Sequence, residues 1–434
     1  MRACSWEKMT ALAAGAGNIS EYLAVWKRQT RRDAVMLTAT PEQADVQILV
    51  GPARLESIKA VPPRPSVDPE VLALLSRWAR QLLSEPEVMT YPDVMAFASW
   101  CRTVPGLAAA PEGTCRMGRG LVFHIAPSNV PTMFAFSLVA GLLAGNANVV
   151  RLPSGGDRRV DLLCETLSQV LSEPEFEAFR DAICLLRYAR EVSDVTSRLS
   201  RLCDVRVIWG GDTTINAIRT HAIPAHASDL VFADRSSAAL IHADAWLSAD
   251  SKDQTLRGFY NDTYLYDQNA CSAPRAVIWC GEAVEEAQAD FWSRLENLLA
   301  EQFVLKPIAA VNKLEFAMQI AATVPNTRMH STSNLAVRTW VPEISEHVFQ
   351  GNPGHGCFVE TQVTEIDQLF ASLPRRIQTL SYFGLDPQQI RQCLIKARAR
   401  GVDRVVPIGK TLDFSLIWDG HDIIGTLSRT IRID

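Results

Sequence analysis

The stretch Leu121-Val122-Phe123-His124-Ile125-Ala126-Pro127-Ser128-Asn129-Val130-Pro131 decides the fold. Leu121 to Ile125 is a short apolar run that breaks at a turn fenced by Pro127 and Pro131, and an apolar pattern of helical length then runs from Pro131 to Ala144. A second apolar run follows from Asn148 to Leu152. Runs joined in this way read as parallel strands, because a parallel pair needs a crossover, usually a helix, to connect it. The alternation continues: Asn148 to Leu152 precedes a helical pattern near Arg159 to Leu171, Ala182 to Arg187 one near Ser193 to Arg201, and Val205 to Trp209 one near Thr213 to His221. Strand then helix in series predicts an α/β chain built on a doubly wound parallel sheet. Ligands of such sheets lie where strand ends meet helix starts.

A second set of runs begins near Ala238: Ala238 to Ile241, Arg275 to Cys280, Cys357 to Val363, Ile377 to Phe383 and Arg404 to Ile408, with helical patterns at Ala283 to Phe303 and Pro387 to Arg400. This predicts a second α/β domain. The expected division is an N-terminal region with the dinucleotide-binding domain over residues 1–235, a catalytic domain over 236–410 and a C-terminal strand segment over 411–434. Gly425 to Ile433 alternates in polarity and is read as a strand that adds to a neighbour's sheet, which makes a homo-oligomer the expectation. Val61-Pro62-Pro63-Arg64-Pro65 reads as a linker.

With 434 residues, 47% of them apolar, the chain suits two domains. A net charge of -5 lacks the basic stripe that nucleic-acid binding requires. Met1 to Lys8 places charge where a signal peptide needs an apolar run, and Met133 to Ala144 is too short to span a bilayer, so a cytoplasmic protein is expected. Ten cysteines without a Cys-x-x-Cys pair, and eight histidines without a His-Glu-x-x-His pattern, point away from a metal cage and from a disulfide framework.

Three segments carry chemistry. Asp267-Gln268-Asn269-Ala270-Cys271-Ser272-Ala273-Pro274-Arg275 surrounds a thiol with small or polar neighbours, which leaves room for a substrate carbonyl and places backbone N–H groups beside the sulfur. A cysteine that only fills a core is the plainer alternative. Asn129, held at a strand end by its flanking prolines, either donates its amide to an oxyanion or caps the helix beginning at Pro131; taken alone, capping is the safer reading. Trp209-Gly210-Gly211-Asp212-Thr213-Thr214 lies between a strand and a helix, where Gly210, Gly211 and Thr213 suit a pyrophosphate and Asp212 suits a helix cap. Cys357, two residues after His355 in a Gly-rich run, offers a rival Cys-His dyad. It is the weaker candidate because such partners are normally joined by the fold.

With these segments in order, the chain resembles the aldehyde dehydrogenase superfamily and, within it, the LuxC-type acyl-CoA reductases. The matching stretches are Val122 to Pro131, Gly141 to Ser154, Val207 to Asp212, Asp267 to Pro274 and Arg404 to Gly409. The resemblance implies an aldehyde dehydrogenase-like fold in which Cys271 is the nucleophile and Asn129, with the Cys271 N–H, forms the oxyanion hole. It implies that Ser128, Arg151, Pro153, Ser154, Gly210, Gly211 and Thr213 bind the dinucleotide. It further implies coenzyme A as leaving group and acyl groups received from acyl-CoA or from a companion acyl-protein synthetase.

Departures from the pattern sharpen the expectation. The Glu-Leu-Gly-Gly segment of oxidising aldehyde dehydrogenases aligns, without gaps, with Phe232-Ala233-Asp234-Arg235, so the water-activating carboxylate is missing and exchange of the acyl group with a thiol such as coenzyme A is favoured over its hydrolysis. The usual Lys-Pro-Ser-Glu is here Leu152-Pro153-Ser154-Gly155, with the base displaced to Arg151. Without that glutamate, and with Ser154, Arg158 and Arg159 near in sequence, NADPH is expected over NADH. Two other readings stand beside this one: an aldehyde oxidant with Asp234 as substitute base, and a subunit that only relays acyl groups on Cys271.

Overall fold

The computed structural model describes residues 46–52, 58, 61–104, 114–330 and 333–434. Within Ile48–Asp434, which forms one contact unit, two parallel sheets each carry helices on their faces. The strands in chain order are β1 (Gln47–Val50), β2 (Thr114–Gly118), β3 (Leu121–Ile125), β4 (Ala147–Leu152), β5 (Ile183–Arg187), β6 (Val205–Trp209), β7 (Ser228–Phe232), β8 (Ser236–His242), β9 (Pro274–Cys280), β10 (Arg328–His330), β11 (Val337–Trp340), β12 (Cys357–Gln362), β13 (Ile377–Phe383), β14 (Arg404–Pro407), β15 (Ile417–Trp418), β16 (His421–Asp422) and β17 (Ser428–Arg432).

The first sheet has the order β1-β5-β4-β3-β6-β7. The chain winds outward from β3 through β4 to β5 and then returns to β6 beside β3, so the topological switch falls between β3 and β6. All five residues of β3 and of β6 are buried, as expected for strands covered on both faces. The intervening helix Met133–Leu143 is apolar all round and nearly every residue is buried. Its start lies two residues later than the sequence predicts. Asp68 and Pro69 open the helix Pro69–Ser84, with the Asp68 carboxylate accepting from the Glu70 N–H at 2.9 Å. That helix anchors through Trp78, whose Nε1 donates to Thr166 Oγ1 at 3.1 Å.

The second sheet has the order β10-β11-β12-β9-β8-β13-β14 and is parallel except at β10. Its core is divided between two faces, one around Phe316, Val359 and Leu380, the other around Trp246, Phe291 and Trp292.

Two sequence expectations are corrected here. The Pro-rich segment is no linker: the Arg64 N–H donates to the Gly145 carbonyl at 2.8 Å, the Gly118 N–H returns to the Arg64 carbonyl at 3.0 Å, and Pro65 bridges Met117. The expected tail strand begins as a helix, Ile423–Leu427, and only then becomes β17, which pairs antiparallel with β2 of the same chain from Ser428 against Gly118 to Arg432 against Thr114. Among the described residues no helix is long and apolar enough to cross a membrane.

Candidate active site

A cleft of about 730 Å3 opens where the C-terminal ends of β3, β4, β6 and β7 face the N-terminal ends of β8, β9 and β13. It is lined by Cys271, Asn129, Ser128, Arg151, Pro153, Ser154, Gly210 and Gly211, eight of the nine site residues expected from the sequence. The ninth, Thr213, is exposed on its helix, and Thr214 takes its place on the wall.

The thiol loop joins helix Lys252–Tyr264 to β9 and turns through two left-handed residues, Asp267 at φ 51° and Gln268 at φ 61°. A branched or bulky residue would be strained there. The buried Gln268 amide fixes the turn: Nε2 donates to the Pro274 carbonyl at 2.8 Å, and Oε1 accepts from the Gly356 and Cys357 N–H groups, each at 3.0 Å. Ser237 on β8 donates its hydroxyl to the Cys271 carbonyl at 2.7 Å and accepts from the Thr379 N–H on β13 at 3.3 Å. From across the cleft, Asn129 Nδ2 donates to the Asn269 carbonyl at 2.9 Å. The helix after this turn starts at Met133 with Thr132 in the cap position, so Asn129 caps nothing.

Cys271 is a free, half-buried thiol. Burial pushes its pKa up to about 12, helped by the Asp419 carboxylate, while the N–H groups of Ser272 and Cys271 and the Arg275 guanidinium pull it down. Cys357 is fully buried in β12, absent from the cleft wall and likewise pushed up to about 12 by burial. His355 turns to Asp267, Nδ1 to Oδ1 3.6 Å, so the rival Cys-His dyad does not form.

On the other side of the cleft the backbone is bare. Cβ atoms added to Gly155 and Gly156 would meet nothing within 4 Å. Gly211 is the N-cap of helix Asp212–Arg219 and carries no side chain to satisfy its first N–H groups. Asp212 sits one residue inside that helix and makes no cap bond, contrary to the sequence reading. Helix N-termini with free N–H groups attract phosphate. Trp209 and Phe232 stack at 3.7 Å between ring centroids and floor this region.

Arg158 and Arg159 do not reach the cleft. Arg158 pairs with Glu87 and Glu165, each at 2.8 Å, and Arg159 with Asp157 at 2.7 Å and Asp93 at 3.2 Å. The cations that line it are Arg151, Arg190, Arg235, Arg275 and Arg376. Arg151 lies 4.6 Å over the Tyr188 ring, and its buried Nε has no hydrogen-bond partner among the described residues. Carboxylates line the cleft as well. Asp234 lies against Gly211, where an added Cβ would sit 3.1 Å from Oδ2, and Asp419 arrives from the C-terminal segment. Sequence reasoning missed Arg190, Arg275, Arg376 and Asp419. Only Asp419 carried a local signal, since Asp-Gly marks a two-residue hairpin turn. Among the described residues no group of three or more His, Cys, Asp or Glu side chains is arranged to hold a metal ion.

A group carrying phosphates and a ribose fits this wall: bare glycine backbone, uncapped helix N–H groups and Arg151 and Arg190, which pair with no carboxylate among the described residues, line it.

Comparison with known proteins places the geometry in context. Residues 111–432 match the acyl-CoA reductase (LuxC) family. The long-chain acyl-protein thioester reductase of Vibrio harveyi is 24% identical over 336 residues, 74% of this chain and 66% of the relative. That of Photorhabdus laumondii is 23% identical over 320 residues, 72% of this chain and 63% of the relative. The chain thus matches slightly less than two thirds of the length of these relatives. Among solved structures, a putative aldehyde dehydrogenase from Burkholderia cenocepacia superposes with a TM-score of 0.63 at 16% identity, covering 91% of this chain and 98% of that one. Aldehyde dehydrogenase 21 from Physcomitrella patens gives 0.62 at 11% identity, over 87% and 88%. The fold is that of the aldehyde dehydrogenases.

Proposed function

We propose, from the premise that this chain belongs to the acyl-CoA reductase (LuxC) family, that it reduces an acyl thioester to the aldehyde through an acyl group carried on Cys271. The observation that carries the reading is the cleft itself, where Asn129 reaches from the first sheet to the Cys271 loop of the second, beside a wall of bare glycine backbone and arginine.

The Cys271 thiolate attacks the thioester carbonyl. The Asn129 amide, with the Cys271 N–H, donates to the oxyanion as it forms, and the donor thiol departs. Gly210, Gly211 and the N–H groups opening helix Asp212–Arg219 hold a dinucleotide pyrophosphate, while Pro153, Ser154 and Arg151 border the adenine ribose. The bound reduced dinucleotide supplies the hydride that converts the acyl group to the aldehyde. NADPH is preferred over NADH, with Arg190 and Arg151, in place of Arg158 and Arg159, as cations that line the cleft together with Ser154.

Acyl-CoA is the donor named by the family, and the relatives' names add a long-chain acyl-protein, so an acyl-protein synthetase is the companion enzyme of this reading. Location in the cytoplasm and a homo-oligomer belong to it too: the described cysteines are free, and in the ribbon of β2 and β17 the far edge of β17 pairs with no strand among the described residues.

The test is a Cys271→Ala variant incubated with long-chain acyl-CoA. Acyl-CoA-dependent NADPH oxidation and the mass shift of the Cys271 peptide both vanish on this reading; turnover that survives the substitution refutes it. Tryptophan quenching by NADPH separates the reductase from a pure acyl relay, which needs no dinucleotide.

A further inference from the structure

The helix Pro387–Ala397 joins β13 to β14, and its two faces are of opposite kind. Asp386 opens it, accepting from the Gln388 N–H at 3.1 Å, and Ile390, Cys393, Leu394 and Ala397 pack into the core of the second sheet. The outward face is basic. From Pro387 to Val402 the sequence holds Arg391, Lys396, Arg398 and Arg400 and no carboxylate, in a chain whose net charge is -5. Lys396 is matched by Asp367, but Arg391, Arg398 and Arg400 are exposed and pair with no carboxylate among the described residues. Ile395 stands between them with 63% of its surface exposed, one turn from Arg391 on one side and one turn from Arg398 on the other. Among the described residues it is the one large apolar side chain that this helix leaves exposed.

This face adjoins the rim of the cleft. Arg398 ends the helix in the left-handed conformation, at φ 50°, and the chain then runs along the start of β13. The Val402 N–H donates to the Ile377 carbonyl at 2.7 Å, the Asp403 N–H donates to the Gln378 carbonyl at 2.8 Å, and a Cβ added to Gly401 would collide with the Pro374 carbonyl. Arg398 and Arg400 are thereby carried to the segment that holds Arg375 and Arg376. Arg376 lines the same cleft as Cys271, while Arg375, paired with Asp403 at 3.0 Å, is largely exposed and continues the basic surface outward.

The shape and charge of this surface select its ligand. Nucleotides sit in concave sites, whereas this is the convex flank of a helix that rises about 10 Å between Arg391 and Arg398. A lipid surface needs an apolar face to insert, and a single isoleucine does not supply one. An apolar centre within a charged rim is the construction of a protein interface, and a rim of one sign favours a partner of the other. We propose that Arg391, Arg398 and Arg400, around Ile395, dock an acidic carrier protein that presents an acyl thioester on a flexible arm, and that the arm enters the cleft past Arg376 to reach Cys271. An arm is required because the surface lies outside the cleft and the thiol lies within it. The transfer balances as thioester exchange: the Cys271 thiolate forms its bond to the acyl carbon, the arm's C–S bond breaks, and the arm leaves as a thiolate. The proposal rests on the acyl thioester reductase reading and adds to it the surface that receives the acyl-protein.

The probe is an acyl carrier protein, dye-labelled and unacylated for docking, myristoylated for transfer. Fluorescence anisotropy with the full chain reads docking without any chemistry. The wild type binds the carrier, with affinity falling about tenfold between about 50 and 200 mM salt, and the Arg391→Glu, Arg398→Glu, Arg400→Glu triple variant loses this binding. In the same variant kcat/KM for the myristoylated carrier falls about tenfold or more, whereas acylation of Cys271 by S-myristoyl-pantetheine, which has neither protein nor nucleotide, is unchanged and reports that the fold is intact. If the triple variant does not fold, Arg391→Gln on the open helix face serves in its place, and the salt dependence of the wild type stands independently. A wild-type chain that does not bind the carrier, or binding that survives charge reversal, overturns the proposal. So does an equal loss with myristoyl-CoA, which would make these arginines a site for nucleotide phosphates, or variant-sensitive binding to phosphatidylglycerol vesicles, which would make them a lipid site. Carrier docking without acylation of Cys271 by any donor refutes the reductase reading and leaves the surface standing; acylation by the pantetheine thioester without carrier docking does the reverse.

Discussion

Replacing Gln268 by alanine is expected to cost about 3–4 kcal/mol of folding stability, far more than a typical loop substitution. The figure follows from what the amide satisfies. Gln268 is fully buried, donates to the Pro274 carbonyl at 2.8 Å and accepts two N–H groups at 3.0 Å, from Gly356 and Cys357. Truncation strands the Pro274 carbonyl and the Gly356 N–H, while the Cys357 N–H keeps its bond to the Gly354 carbonyl at 3.1 Å; two stranded groups at roughly 1.5–2 kcal/mol each sum to about 3–4 kcal/mol. The left-handed backbone at φ 61° adds nothing to the difference, because alanine and glutamine meet the same Cβ penalty there. Urea unfolding of the two proteins measures the loss, and the alkylation rate of Cys271 reports whether the thiol loop has moved with it. A variant within about 1 kcal/mol of wild type, with unchanged alkylation, would show that backbone bonds alone hold the loop and that the glutamine staple is dispensable.

Three further outcomes are expected. Asn129→Ala lowers kcat for acyl-CoA reduction by about 10²–10³-fold, the usual cost of one oxyanion donor, with a smaller change in KM; stopped-flow acylation separates the two. Arg190→Ala raises KM for NADPH about tenfold and leaves that for NADH unchanged, as steady-state kinetics with both dinucleotides will show. His124 is buried between Ser137 and Asn148, and burial lowers its pKa to about 4. The folded state therefore resists a proton that the unfolded chain accepts near pH 6.5, so stability is full above that pH and falls as pH drops toward 4, by about 3 kcal/mol. His124→Gln flattens this acid limb in pH-dependent urea melts.

Much of the fold was legible because buried parallel strands are unbroken apolar runs. β3, β6 and β13 fall where those runs were read, and β4, β5 and β9 begin one residue from the expected start. Strands without that signature escaped: β10 is three exposed residues, Arg328–His330, and β7 opens on the exposed Ser228. The site was legible where chemistry and turn coincide in sequence, as at Asn129, Gly210 and Cys271. It failed where partners are distant in the chain. Arg158 looked free beside Ser154, yet Glu87, 71 residues earlier, claims it. Asp419 lies far from Cys271 in sequence, and only the packing of the C-terminal hairpin brings it to the cleft. A tail strand does form within the stretch read for it, but the first residues of that stretch close a short helix, and alternation in polarity could not name β2 as its partner within the chain.

The Ser237 hydroxyl joins the Cys271 peptide to two neighbouring strands at once. The Cys271 backbone is therefore tied directly to the interior of the second sheet. On the proposed function, loops bordering the cleft can vary with the acyl group while this tie keeps the Cys271 peptide in place, so selectivity and reactivity can evolve on separate schedules.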